Sequence, residues 1–469
     1  MSKSTMKKQR TLNNKEALLY SLASFGLMLP VSLWNGFSFY YMTYTIGLEA
    51  AFVSVGNIIG LVLNALIAPI FGYLSDQMEP SNLGRRRPFM LWFTPVMCVS
   101  FIFLWFFPGW LNIGSIGQWG VAIIYWIATI VFCFSSSAVF APYIAMLPEI
   151  STTEENRIKI SSMQGVTNLL GTLVGVVFPF VMKGLVSGSE LVIWMIIIAI
   201  VSSILSGVTV FITFFTIKEP IVAMIQNGEV EVIPDELKPP RKSLKDVFTN
   251  MFEPLKNKEF RFWEGSNFMF FMALRIPMTI VLPLIEVVLN VQDEQIILFL
   301  AVVIPFALGG FILWNKLSSS DLGLVKSLKI DYVMLMVFLG LCTIFLIPMT
   351  TAVKQVLGLI LVCSIVLSLI AFYVIPNPLI SKIIDLEIAD VIEENGPFKS
   401  KDDEFKFSGK FFGVNSFILN IGGAIAYFLL GFILSGREED PFTLTILLPI
   451  TAVIVGMSYF LLQKMNVKE

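Results

Sequence analysis

Uninterrupted apolar runs fill this chain from end to end, each near the roughly 20 residues that cross about 30 Å of hydrocarbon. They lie at 17–47, 50–75, 88–107, 118–148, 160–183, 190–217, 262–290, 295–315, 330–350, 355–381, 409–435 and 442–463. A backbone in lipid must satisfy its own hydrogen bonds, so runs of this length predict helices. The expected fold class is all-α membrane, twelve transmembrane helices as two pseudo-symmetric six-helix bundles. The polar stretch between the sixth and seventh runs carries Pro234, Pro239 and Pro240. It divides the chain into an N-terminal half (1–217), a cytoplasmic linker (218–261) and a C-terminal half (262–469). Weak repetition relates the halves. Asp76 precedes Leu83 and Gly84 as Asn315 precedes Leu322 and Gly323, and Pro142 precedes Glu149 as Pro378 precedes Asp385. Two similar halves around a central site are a common transporter plan.

Charge adds orientation. With a cytoplasmic N-terminus, Lys and Arg collect in the cytoplasmic loops. Only Lys183, Lys354 and Arg437 then fall in external loops, and Arg275 within a span. The segment Met1 to Lys15 is polar and basic, a cytoplasmic tail rather than a signal peptide. The expected location is the cell membrane, multi-pass, with both termini cytoplasmic.

Composition narrows the function. The 469 residues are 56% hydrophobic and 14% charged, with mean hydropathy +0.80, against roughly 25% charge in soluble proteins. A net charge of −2 offers nothing to nucleic acid. Histidine is absent, which removes the usual general base and the commonest metal ligand. No enzyme activity, cofactor or metal is expected. Cys98, Cys133, Cys342 and Cys363 sit inside apolar runs and read as free thiols.

Between the second and third runs stand Gly72-Tyr73-Leu74-Ser75-Asp76 and Gly84-Arg85-Arg86-Arg87-Pro88-Phe89. This pair resembles the signature loop of the major facilitator superfamily, and its arginine-rich form resembles the glycoside-pentoside-hexuronide cation symporters and the plant-type sucrose carriers. Two further stretches are similar to segments of that group: Ala141 to Glu149 continuing to Arg157, and Asn377-Pro378 with Asp385 followed by Gly409 to Phe417. The resemblance implies a symporter of sugars with a cytoplasmic gate, for which Asp76, Arg85, Arg86, Arg87, Glu149, Arg157 and Asp385 are candidates. Asp76 is expected to pair with cationic helix ends in one conformer and release them in the other. The plainer reading of Glu149, Arg157 and Asp385 is solvated charge at helix ends.

Departures from the group matter as much. Its sodium carboxylates on span two fall here on Asn64 and Ala68, its sugar-binding aspartates on Met28 and Phe140, and its span-eleven lysine on Asn420. Sodium coupling is therefore not carried over, and proton coupling would need Glu286 or a helix-end carboxylate. The polar groups left inside are mainly amides. Asn35, Asn57, Asn64, Gln164, Asn168, Asn415, Ser416 and Asn420 lie inside, and the plainer reading of any one Asn is a helix-to-helix bond; the resemblance places Asn35, Asn415 and Ser416 at substrate-facing positions, and with Asn64 and Asn420 they are candidates for a hydroxyl-rich substrate. Arg275, read as the one charge deep in a span, is a sixth candidate; its alternative is a clamp on carbonyls freed by Pro277 and Pro283. Glu286 lies eleven residues on, about three turns away, too far to pair with it. Trp34 and Tyr373 are candidates for stacking on a sugar ring.

The function that follows is a secondary transporter moving a sugar, glycoside or similar small polar solute by alternating access. Its partners are that substrate, the lipid bilayer and an optional proton or other cation. The rivals are a lipid or amphiphile carrier on the same fold and a non-transporting membrane receptor or scaffold.

Overall fold

The structure, a computed structural model, describes residues 11–78, 81–151, 153–186, 188–219, 249, 251–396 and 401–465. Most of the 218–261 linker, and the side chains of Asp76 and Glu149, lie outside the described residues. Among those described there are twelve helices long and apolar enough to cross a membrane, and no β-strand. They are α1 (Asn14–Thr45), α2 (Ala50–Ser75), α3 (Arg87–Leu111), α4 (Ile113–Ala145), α5 (Lys159–Leu185), α6 (Gly188–Thr216), α7 (Lys258–Val288), α8 (Gln295–Ser318), α9 (Gly323–Leu346), α10 (Thr351–Glu393), α11 (Phe407–Leu434) and α12 (Pro441–Gln463). Each apolar run became one helix.

The helices extend past the apolar runs where polar residues continue the backbone ladder. α9 starts at Gly323 rather than near 330, which carries Asp331 two turns inside it. α10 runs to Glu393, but its helical bonding stops after Leu369, resumes for Ala371–Val374, and starts again at Pro376. Pro376 and Pro378 supply no N–H, so the ladder bonds they would have made are missing around the restart.

Both helices that open a sequence half end alike. α1 closes in a π-turn at Tyr41–Thr45 and α7 in one at Leu284–Val288. The Ile46 and Leu289 N–H groups each reach back five residues, and those of Leu48 and Val291 reach back six. Gly47 and Asn290 then turn with φ 83° and 53°. The paired loops of the repeat also match. Leu83 and Leu322 each donate an N–H to a serine hydroxyl, Ser81 and Ser320, at 3.3 Å, and Gly84 and Gly323 follow with φ 97° and 74°.

Packing divides the chain differently from the sequence halves. One compact unit is Met1–Ser38, Leu66–Phe180 and Val192–Val247; the other is Phe39–Ala65, Val181–Leu191 and Phe248–Glu469. The second unit thus holds the C-terminal end of α1, most of α2 and the α5–α6 turn together with α7 to α12. In the first unit, Tyr143 ties α4 to α1 and α5. Its hydroxyl donates to the Tyr20 carbonyl (3.0 Å), shares a bond with Ser24 (2.9 Å) and accepts from the Gln164 amide (2.8 Å), while Tyr20 donates back to the Tyr143 carbonyl (2.6 Å). In the second, Ser266 and Ser458 join α7 to α12, each donating to the other's carbonyl. Outward faces carry large apolar side chains such as Trp92, Phe215 and Phe432, as a lipid-facing surface requires.

Candidate functional site

At the C-terminal ends of α1, α5 and α7 a charge pair is buried. Lys183 Nζ stands 3.1 Å from Glu286 Oε1, and the Tyr40 hydroxyl donates to the same carboxylate at 2.8 and 2.9 Å. The Lys183 ammonium also lies 6.0 Å from the Tyr40 ring centroid. Lys183 is a last-turn residue of α5, not the loop residue the hydropathy reading places there, and Glu286 sits in the π-turn of α7. Such turns widen one helical cycle and recur at functional positions. A buried pair gains little net free energy, because desolvation nearly cancels attraction, whereas losing one partner strands the other charge. That balance suits a catch that must open.

The same unit holds a second fastening. Tyr44 donates to the Glu438 carbonyl at 2.8 Å, and the Glu438 carboxylate accepts the Ala50 N–H at the start of α2 at 3.0 Å. Asp440 caps α12 through Thr443 and Phe442. The Thr443 hydroxyl and these N–H groups hold its carboxyl below the usual range. Between α2 and α11 the approach is close enough to demand glycine: a Cβ at Gly431 would sit 2.6 Å from the Ser54 Cβ, and one at Gly423 3.0 Å from Leu61. Tyr427, on the same face of α11, stacks on Phe39 at 6.2 Å.

Arg275 faces this surface of α11. Its guanidinium lies 5.0 Å from the Phe271 ring centroid and near Gly423, whose added Cβ would be 3.6 Å from its Nε. That Nε is buried without a hydrogen-bond partner. No bond from the guanidinium to a carbonyl freed by Pro277 or Pro283 is present among the described residues.

The amides are placed less openly. Asn415 is buried and accepts from the Asn267 amide at 2.7 Å, a helix-joining bond worth about 0.6 kcal/mol in membrane proteins. Asn420 donates to the Ser416 carbonyl one turn back, and Ser416 itself is exposed. Asn35 and Asn64 are half-buried. Trp34 is buried against Phe132 in a T-shaped contact, which leaves its ring no free face for stacking on a sugar. Tyr373 stays exposed beside Phe372.

In the first unit, the arginine-rich loop is organised by a residue the motif does not contain. The buried Glu219 carboxylate accepts the main-chain N–H groups of Arg85, Arg86 and Arg87 at 2.8, 2.8 and 3.0 Å. This is an anion seated at the N-terminus of α3, where orphan donors and the helix dipole favour it. Gly84 has to be glycine, since its Cβ would lie 2.6 Å from Glu219 Oε1 at φ 97°. The Arg87 guanidinium donates to the Phe214 carbonyl from Nε (3.2 Å) and Nη2 (2.5 Å), and to the Leu83 carbonyl from Nη1 (3.2 Å). It also stacks 4.5 Å over the Phe214 ring. Arg157 donates to the Ser151 carbonyl at 2.7 Å. Its neighbour Asn156 holds Leu12 through both an N–H and a carbonyl. In the second unit, Asp385 is exposed on the extension of α10. The exposed pair Lys410–Glu253 (2.6 Å) ties α11 to the turn before α7, and Lys410 holds the Glu253 carboxyl below its usual range.

Arg275 is not alone among charges inside spans. Lys183, Glu264, Glu286 and Asp331 also lie within helices. Glu264 and Asp331 are buried; among the described residues Glu264 has no hydrogen-bond partner, and Asp331 has only the Ser368 hydroxyl beside it. Hydropathy boundaries placed Lys183 and Asp331 at the edges of their runs, where charges are unremarkable. The signal for Glu219 was its place beside the sixth run, but the N–H groups it serves cannot be read from residue types.

A family model described as MFS/sugar transport protein matches residues 19–437. An isoprimeverose transporter of Lactiplantibacillus pentosus is 25% identical over 46% of this chain and 44% of its own length. An uncharacterised symporter of Synechocystis is 26% identical over 34% of this chain and 29% of its own. Sodium-dependent lysophosphatidylcholine symporter 1 of Xenopus tropicalis is 28% identical over 25% and 21%. The chain therefore matches less than half the length of each of these relatives. Two solved structures share the fold: nucleoside transporter NupG (TM-score 0.60, 14% identity, 97% of this chain and 100% of that one) and a bacterial homologue of the iron transporter ferroportin in an inward-facing state (0.62, 13%, 97% and 99%). Twelve apolar helices and a family match over nearly the whole length make this a multi-pass membrane protein that belongs to the MFS/sugar transport family.

Proposed function

We propose that the protein is a secondary transporter that carries a sugar, glycoside or similar small polar solute by alternating access, with both termini cytoplasmic. The observation that carries this reading is the fastening of α1, α2 and α5 to α7 and α11 by Lys183–Glu286, Tyr40 and Glu438. Helices of both sequence halves meet there through charge pairs that separate at small net cost. A scaffold would gain more from an apolar seam. Under the cytoplasmic orientation of the arginine-rich loop, this end is the external gate, closed in the present conformer. The loop around Gly84, with Asp76, Glu149, Arg157 and Asp385, belongs to the opposite gate. The halves 1–217 and 262–469, joined by 218–261, are the bodies that rock. Purified protein in liposomes preloaded with isoprimeverose or sucrose should exchange the labelled sugar across the membrane; the absence of exchange with any neutral glycoside would remove the sugar reading and leave the amphiphile carrier.

Arg275 is the cargo contact on this reading, with Asn35, Asn64, Asn415, Ser416 and Asn420 as lesser contributors. Its Nε has no partner to lose, so Arg275→Gln should lower cargo affinity about tenfold or more while shifting the melting temperature little. Arg275→Lys should rescue only in part, since lysine lacks the planar fork. Normal affinity with a lowered melting temperature would return Arg275 to a structural role. A second expectation concerns sodium. Asn64 and Ala68 offer no carboxylate, and among the described residues no group of three or more acids, cysteines or histidines stands together. Replacing sodium by potassium should therefore leave uptake unchanged; saturable sodium stimulation would count against this.

A further inference from the structure

Asp331 is as buried as Glu219, yet the two carboxyls live differently. Glu219 is held by three N–H donors, whereas among the described residues no N–H and no charged group is bonded to Asp331. The one donor beside it is the buried Ser368 hydroxyl. An ionised carboxylate in such surroundings is strongly disfavoured unless a counter-charge or donors meet it. No counter-charge is in place. On α9 itself Lys326 is exposed and Lys329 only half-buried. Along α12 the one titratable residue is Tyr459. On α8 the one charge is Lys316, in the last turn. On α10, Lys354 lies in the first turn, about 20 Å from Ser368 along the helix, and the other charges follow the break. On α7, Arg275 is turned to Gly423 of α11, and Glu264, buried as well, is acidic and offers no counter-charge. Tyr332, next to Asp331, is engaged with Ser266 and Ser458.

Ser368 is also the last buried polar residue before α10 breaks at Ile370. The carbonyls at the break are spoken for: Val366 accepts from Ile370, Leu367 from the Trp314 indole at 2.8 Å, and Ile370 from Tyr373. A sodium ion wants several oxygen ligands, and one carboxyl with one hydroxyl is a poor cage. A proton needs a single oxygen.

We propose that Asp331 is a proton-binding site, carried as the neutral acid in this conformer and exposed to water when the break in α10 bends. On exposure its O–H bond breaks toward water, leaving the carboxylate, and the reverse step reloads it. This deepens the transporter reading by naming its coupling ion, and rests on it.

The test uses full-length protein in liposomes at neutral pH and needs no known cargo. The infrared difference between wild type and Asp331→Asn should show one protonated-carboxyl band that shifts in heavy water, is unchanged by adding sodium and persists in Asp331→Glu, while any band of the buried Glu264 is common to all three and cancels. Since asparagine resembles the neutral acid, the melting temperature of Asp331→Asn should stay within a few degrees of wild type. A band identical in Asp331→Asn and wild type, its loss on adding sodium, or a collapse of the melting temperature would each overturn the proposal. With isoprimeverose as probe, Asp331→Asn should lose accumulation driven by a pH gradient and keep equilibrium exchange. PH-driven accumulation equal to wild type overturns the proton site alone, whereas loss of exchange in wild type itself overturns the sugar-transporter reading.

Discussion

Replacing Lys183 by methionine is expected to open the end of the bundle closed by α1, α5 and α7, and to raise the labelling rate of a cysteine placed at Ser54 by about 30-fold. Lys183 is buried and Glu286 mostly so, with side-chain exposures of 9% and 20%. Breaking a fully buried pair costs about 3–5 kcal/mol, and the partial exposure here reduces that to about 2 kcal/mol. In the open conformer Glu286 meets water and loses nothing, so the cost falls on the closed conformer alone. At 1.4 kcal/mol per tenfold, 2 kcal/mol is a shift of roughly 30-fold in population. Ser54 reports it because it is 2% exposed and pressed against Gly431. The four native cysteines would first be replaced. Glu286→Gln should act in the same direction but less, since an amide still receives the Tyr40 hydroxyl. The exchange of charges, Lys183→Glu with Glu286→Lys, should return labelling to within a few-fold of wild type. If the single substitutions label at the wild-type rate, or the exchange fails to recover what they lose, the pair is no gate.

The reach of sequence reasoning followed the range of the forces involved. Lipid exposure is a one-dimensional constraint, and so the twelve helices could be read from apolar runs alone. The repeat of Leu83-Gly84 and Leu322-Gly323 could also be read, because a left-handed turn before a helix demands glycine locally, whereas the part of Ser81 and Ser320 in it could not. The match between the π-turns of α1 and α7 was harder, since Gly47 in one is Asn290 in the other and only backbone geometry is shared. Partnerships were hidden altogether. Nothing along the chain says that Lys183 finds Glu286, that Asn415 spends its carbonyl on Asn267, or that the Ser368 hydroxyl is the one donor beside Asp331. Each depends on which helix faces which. The family resemblance singled out the arginine-rich loop, but not what holds it: Arg87 grips the Phe214 carbonyl, and three N–H groups hold Glu219.

That arrangement makes Glu219, outside the motif, the position where substitution should do most damage to the loop. Glu219→Ala removes one carboxylate from three main-chain donors that stay buried near the start of α3. Hydrogen bonds to a charged group contribute about 1.5–3 kcal/mol each. They share a single desolvation cost, so a net loss of about 3 kcal/mol is expected rather than their sum. For a chain of this length that corresponds to a fall in melting temperature of roughly 3 °C. Glu219→Gln keeps one acceptor oxygen and should fall between. Gly84→Ala should resemble Glu219→Ala, since its Cβ meets the carboxylate at 2.6 Å and its backbone is left-handed. Arg85→Ala is the contrast. It deletes a charged side chain but leaves the N–H that Glu219 accepts at 2.8 Å, so stability should change little, whatever happens to turnover. Measured together in one detergent, the four variants separate a loop held by its main chain from one held by its arginines. A wild-type melting temperature for Glu219→Ala, with a large fall for Arg85→Ala, would reverse the assignment and return the motif's arginines to the structural centre of the loop.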